Sequence, residues 1–181
     1  MCIRDRSNSR RDAENANSAL LVTLQPEDFP YDGPLGGMRW QRDIEHAAFA
    51  ASGSYRAPAQ TVGDFLAHKK SDGAGAVTPS YRPGVYWCDL HEVLPERITG
   101  VLENALPELG KKLKGFDAPD AVLTAPETRS SSPVRILRDD ARRSQIRGLY
   151  PCGEGAGYAG GITSAAVDGM KCAEALIETL K

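Results

Sequence analysis

One stretch near the C-terminal end restricts what this chain can fold into more than any other. It runs from Gly148 to Gly169 and reads GLYPCGEGAGYAGGITSAAVDG. A short apolar run, Leu149 to Cys152, breaks at Gly153, passes the single carboxylate of Glu154 and crosses a loop with glycine at every second or third place. Apolar residues then recur at helical spacing through Ile162, Ala166, Met170, Ala173, Leu176, Ile177 and Leu180. The pattern predicts strand, glycine loop and helix. Glycines let such a loop approach a ligand closely. The helix that follows aims its unpaired N–H groups and its positive end at the same place. That corner suits an anionic or electron-rich ligand.

Gly155 to Gly160 spells G-A-G-Y-A-G, a literal match to G-x-G-x-x-G. The dinucleotide fingerprint also requires a strand after the helix and an acidic residue about twenty positions on. Here the helix is followed directly by Lys181, and no βαβ unit is completed after it. The stretch therefore reads as the last strand and last helix of a nucleotide-binding domain whose opening βαβ unit lies upstream.

Leu149 to Leu176, together with Glu127 to Arg135 (ETRSSSPVR), resembles the C-terminal part of a bacterial family of FAD-dependent oxidoreductases. These are the NAD(P)/FAD-dependent dehydrogenase-like proteins of the glutathione-reductase-type flavoprotein superfamily. The runs Asn15 to Val22 (NANSALLV) and Ala57 to Leu66 (APAQTVGDFL) resemble the same family, and the similarity extends from about Ser9 onward.

The resemblance implies that the carboxylate of the Gly153-Glu154 pair hydrogen-bonds the ribityl hydroxyls of FAD. It implies that Gly160, Gly161 and Ile162, at the next helix N-terminus, face the flavin pyrimidine edge. Gly155 and Tyr158 belong to the same cofactor-binding set. Arg129, Ser130 and Ser131 are implied to lie near flavin or substrate, against the alternative of a polar turn held by side chain to backbone hydrogen bonds. The cofactor implied is FAD, NAD(P)H is an electron donor open to the superfamily, and the substrate is a small molecule. A helix N-terminus favours the negative charge of a reduced flavin by about 0.3–1 kcal/mol, while the cofactor carries the chemistry.

The rest of the chain fits an α/β protein. Its 181 residues suffice for one full domain or slightly more. A net charge of −2 and 41% hydrophobic residues give no basic excess for nucleic acid, and no apolar run approaches a membrane span. No secretory signal is visible, and a cytoplasmic location is expected. Met1 to Arg6 (MCIRDR) resembles the translation of a transposon-end sequencing adapter, so the native chain is read as beginning near Ser7 with an upstream portion before it. Cys88, Cys152 and Cys172 form no C-x-x-C and no metal spacing, so no metal site is expected. Cys152 beside the glycine loop invites a redox role, but a small buried hydrophobe on the last strand is preferred.

In chain order, Ser18 to Leu24 reads as a strand and Pro26 to Pro34 as a loop. A helix opens at Gly36 or Gly37 and ends at Gly53, with Met38, Ile44, Ala47, Ala48 and Ala51 as its apolar stripe. His46 within it reads as a packing or surface histidine in preference to a proton donor. Ala57 to Gln60 is extended, Val62 to Ala67 is a short helix, and His68-Lys69-Lys70 is its cationic last turn. Asp72 to Gly84 is irregular. Leu94 to Lys114 is helical, with Pro107 expected to kink or split it. Ala121 to Thr124 and Val134 to Leu137 are strand candidates, and Arg138 to Arg143 a solvent-facing charged connection.

Residues 7–115 are thus read as most of a mixed α+β substrate or cap domain. Residues 116–181 are read as the closing strands and last helix of a Rossmann-like FAD-binding domain. The partner expected is the N-terminal FAD-binding portion of the same protein, without which this chain should bind FAD weakly or not at all. Two other readings stand beside the flavoenzyme fragment: a non-catalytic nucleotide-binding module, and a self-standing NAD-binding Rossmann domain, which the absent strand after the helix disfavours. No catalytic residue can be assigned.

Overall fold

The computed structural model describes residue 10 and residues 12–180; the adapter-like hexapeptide lies outside the described residues. The architecture is mixed α/β, as expected. Its elements are α1 (Gly36–Ser52), β1 (Ala57–Thr61), α2 (Val62–Leu66), β2 (Val85–Trp87), α3 (Glu96–Lys112), β3 (Val122–Thr124) and α4 (Ile162–Thr179). Short 3-10 turns occur at Pro26–Asp28 and Leu90–Glu92. Among the described residues, no helix is long and apolar enough to cross a membrane.

The chain divides into two compact units. One holds the described residues up to Leu24 together with Gln41–Thr128; the other holds Gln25–Trp40 and Arg129–Lys181. The boundary at Trp40 falls within α1.

The first unit carries a three-stranded sheet in the order β2-β1-β3. Strand β1 pairs parallel with β2, Ala57 opposite Val85, and antiparallel with β3, Ala59 opposite Thr124. Every residue of β1 is buried. A proline in a central strand removes a ladder donor, yet Pro58 sits at the end of the β3 pairing. There its carbonyl accepts from Ala125 N–H at 3.0 Å, so the missing donor falls where the ladder is ending anyway. Phe65, Leu90, Leu106 and Val62 are fully enclosed around this strand's unit and form its apolar core.

Two buried polar side chains fasten the segments around β1. Gln60 donates to Lys69 O at 2.7 Å and accepts from Leu90 N–H at 2.8 Å. Ser71 accepts from Thr61 N–H at 2.9 Å and donates to Asp64 Oδ2 at 2.6 Å. Thr61 caps α2 by accepting from Asp64 N–H. Because Ser71 is fully buried, Ser71→Ala should strand the Thr61 N–H and cost about 1–3 kcal/mol. Urea unfolding measures this directly, and an unchanged midpoint would contradict it.

Helices α1 and α3 lie where their spacing puts them. Helix α1 buries Ile44 and Ala48 and stops at Gly53, whose φ of +60° provides the left-handed end; Met38, expected in the stripe, is exposed, as is His46. Helix α3 begins after Pro95 and continues through Pro107 without a break.

Three expected strands are not formed. Ser18–Leu24, Val134–Leu137 and Leu149–Cys152 have no strand partner among the described residues and run as irregular chain. Each is apolar enough for a strand, but a strand is stabilised only by a neighbouring ladder. Other contacts occupy these backbones: Pro151 O, for example, accepts from the Arg138 guanidinium at 2.7 Å. Conversely, β2 was not anticipated, because three residues within a Pro- and Gly-rich run give too short a signal.

Candidate cofactor corner

The glycine loop lies entirely in the second unit, and its shape follows from two left-handed glycines. Gly153 has φ +71° and Gly157 φ +81°. Between them the chain closes on itself: Gly157 N–H donates to Glu154 O at 2.9 Å, and Tyr158 N–H donates to Gly153 O at 3.0 Å. At Gly157 a Cβ would stand 2.5 Å from Val134 O and 3.0 Å from Arg135 Cα. Only glycine allows that approach.

Neighbouring segments seat the loop. Ser132 Oγ donates to Val134 O at 2.8 Å and lies 3.3 Å from Gly155 O, while Ile136 N–H donates to Ala156 O at 3.2 Å. Tyr158 O–H donates to Ile136 O at 3.0 Å, with the Arg138 guanidinium 3.6 Å from its ring centroid. The structure therefore joins the hydroxyl-rich segment to the glycine loop, through Ser132. Arg129, Ser130 and Ser131 are exposed.

Asp168, on α4, is the electrostatic centre of this unit. Its Oδ1 accepts from Arg138 at 2.7 Å and Arg142 at 2.9 Å; its Oδ2 accepts from Arg138 at 2.9 Å and from Gly153 N–H at 2.9 Å. The Arg138 hydrogen bonds, then the Gly153 N–H, hold its carboxyl far below the usual carboxylate range. This overturns the expectation of a wholly solvent-facing Arg138–Arg143 segment: the Arg138 side chain is only 9% exposed, and Arg142 25%. Sequence reasoning missed Asp168. The available signal was a lone acid on an otherwise apolar helix face, with two arginines four residues apart upstream.

Glu154 points in no such network and is exposed. Gly160, Gly161 and Ile162 are exposed too, with Ile162 93% accessible. Ser164 Oγ accepts from Gly161 N–H at 3.2 Å at the start of α4. A Cβ at Gly155 or Gly160 would meet nothing within 4 Å. The loop crest and first helical turn thus face open space, with one carboxylate and a row of amides.

Cys152 is exposed, contrary to the buried position expected of it. Partial burial of its thiol, then Cys172 and Asp168, push its pKa up, the reverse of what a reactive thiolate needs.

A mixed α/β protein with a glycine corner open at a helix N-terminus belongs to the broad class that can hold an anionic, hydroxyl-rich ligand. The chain belongs to the family described as FAD-dependent protein, C-terminal domain-like, whose model matches residues 1–130. An uncharacterized protein of Clostridium beijerinckii is 50% identical over 170 residues, covering 93% of this chain and 32% of that relative. The chain thus spans about a third of the relative's length.

Proposed function

We propose that this chain supplies the ribityl and isoalloxazine side of the FAD site in an oxidoreductase of the glutathione-reductase-type superfamily. The observation that carries the reading is the exposed Glu154 carboxylate on a glycine turn whose crest opens beside the first turn of α4. Bound FAD would supply the electron chemistry. Glu154 would accept hydrogen bonds from ribityl hydroxyls. Gly160, Gly161 and Ile162 would present main-chain N–H groups to the flavin's electron-rich edge. Gly153, Gly155 and Tyr158 would shape that turn, and Arg129, Ser130 and Ser131 would border the substrate side. NAD(P)H is proposed as donor, a small molecule as substrate, and the cytoplasm as location.

The adenosine side would come from the remainder of the same protein. Support comes from α4, where Ile162, Met170, Leu176 and Ile177, with Leu180 just after the helix, are all at least 40% exposed. So apolar a surface is characteristic of a buried contact. On this reading the chain is the C-terminal part of a longer enzyme with an adapter-derived start. Residues 7–115 would contribute to its substrate domain and residues 116–181 to its FAD domain.

The test is Glu154→Ala in the full-length parent. Losing a hydrogen bond to a charged group costs about 1.5–3 kcal/mol, roughly a 10- to 150-fold loss of flavin retention. Unchanged flavin content after dialysis would remove the ribityl role, since Glu154 is too exposed for its loss to act through folding.

A further inference from the structure

Away from the glycine loop, the first unit brings three side chains from separate elements to one point. Glu103 lies in the middle of α3, His91 in the 3-10 turn Leu90–Glu92, and His68 two residues beyond α2. His91 Nε2 is 2.7 Å from Glu103 Oε1, and His68 Nε2 is 3.2 Å from the same oxygen. The three donor atoms fall within 4.8 Å of one another. We propose that His68, His91 and Glu103 form a binding site for a divalent first-row transition metal, with zinc as the reference ion.

The donor chemistry fits. Two imidazole nitrogens and one carboxylate oxygen are a set found at zinc sites that keep a fourth position open. Ligands placed tetrahedrally at 2.0–2.2 Å from zinc stand about 3.3 Å apart. With separations of 2.7 Å, 3.2 Å and at most 4.8 Å, the set needs shifts of tenths of an ångström up to about 1.5 Å to reach that. His68, with a side chain 63% exposed, can make most of that adjustment, and its exposure leaves the fourth position to water.

A supporting layer is already built around His91. Its Nδ1 lies 2.7 Å from Asp89 Oδ1, which also accepts from His91 N–H at 3.0 Å. A carboxylate on Nδ1 keeps that nitrogen protonated and leaves Nε2 as the ligand, the arrangement that orients metal-bound histidines. Asp89 in turn is 3.4 Å from the amide of the fully buried Gln60. The rings of His91 and Phe65 stack at 4.5 Å, and those of His68 and His91 at 4.5 Å. Phe65 is completely buried, so the inner histidine is fixed by the core, while the outer, exposed one has to tilt out of its stack to aim Nε2 at the shared ion.

The backbone at His68 is also unusual. Its φ of +52° lies in the left-handed region, uncommon for residues with a side chain but visited by histidine, asparagine and aspartate more often than by the rest. The conformation turns the chain after α2 and brings the ring over His91. Nothing in this cluster depends on flavin.

The experiment is zinc titration of the whole chain by calorimetry, repeated with cobalt(II), whose visible absorption reports coordination. The expected result is one ion per chain, with low-symmetry nitrogen and oxygen bands. His68→Asn should weaken binding at least about tenfold, and asparagine is chosen because it tolerates the left-handed backbone. Glu103→Gln should do the same, and Asp89→Asn should weaken binding about 10- to 100-fold. Absence of binding at millimolar ion, equal affinity in His68→Asn, or thiolate-to-cobalt bands abolished by replacing Cys152 would each overturn the site. Circular dichroism of the variants confirms that they are folded.

Discussion

Asp168→Ala should destabilise the second unit by about 3–5 kcal/mol, because it removes the anion that neutralises Arg138 in a site where both are nearly enclosed. The loss has several parts: the paired Arg138 hydrogen bonds, the Arg142 contact and the Gly153 N–H. Arg142→Ala removes one partner that is a quarter exposed and makes a single contact, and should cost less, about 1 kcal/mol or below. The double change Asp168→Ala with Arg138→Ala should cost less than the sum of its parts, since the nearly enclosed Arg138 charge goes with its partner and only the more exposed Arg142 loses a contact. Urea unfolding of the wild type, Asp168→Ala, Arg138→Ala and the double variant tests this, and additive effects would dismiss the coupling.

The same carboxylate predicts an acid limit. Its folded-state pKa is depressed by Arg138 and Gly153 N–H, so the folded state binds its proton later than the unfolded chain does. The stabilisation is therefore complete above the unfolded carboxylate value of about 4 and is lost as pH falls below it. Asp168→Asn cannot titrate and should show a shallower loss of stability between about pH 4 and pH 2. Parallel acid profiles for the two proteins would show that other carboxylates govern the transition.

Gly157→Ala should be comparably damaging, for a different reason. The left-handed φ of +81° costs a side-chain-bearing residue about 1–2 kcal/mol. The new Cβ would also meet the backbone at Val134 and Arg135, and forced overlap costs about 1–3 kcal/mol more. Gly155→Ala is the control, since its Cβ enters open space and should change stability by no more than about 0.5 kcal/mol. If both substitutions proved equally mild, the tight seat of the loop on residues 134 and 135 would be wrong.

These effects show where the loop's glycines differ. Gly153 and Gly157 make the turn, whereas Gly155 and Gly160 leave space above it. All four look alike in the sequence. Only the positions of Val134, Arg135 and Ala165 around them separate shape from access.

What the sequence determined by itself is local. Helices α1, α3 and α4, the glycine end at Gly53, the extended run before Val62 and the turn-rich loop after Cys152 are all legible in it. Each depends on residues within a few positions of one another, and helical hydrogen bonds close within the segment that makes them. Tertiary structure alone decided which apolar runs became strands: Ala121–Thr124 found β1, while Leu149–Cys152 and Val134–Leu137 found no ladder. It alone decided the polar centres as well. Asp168 meets an arginine 30 residues away, and Glu103 meets histidines 12 and 35 residues away. Charges so far apart in the chain carry no spacing to read, because their meeting depends on how the segments pack, and packing is a property of the folded chain as a whole.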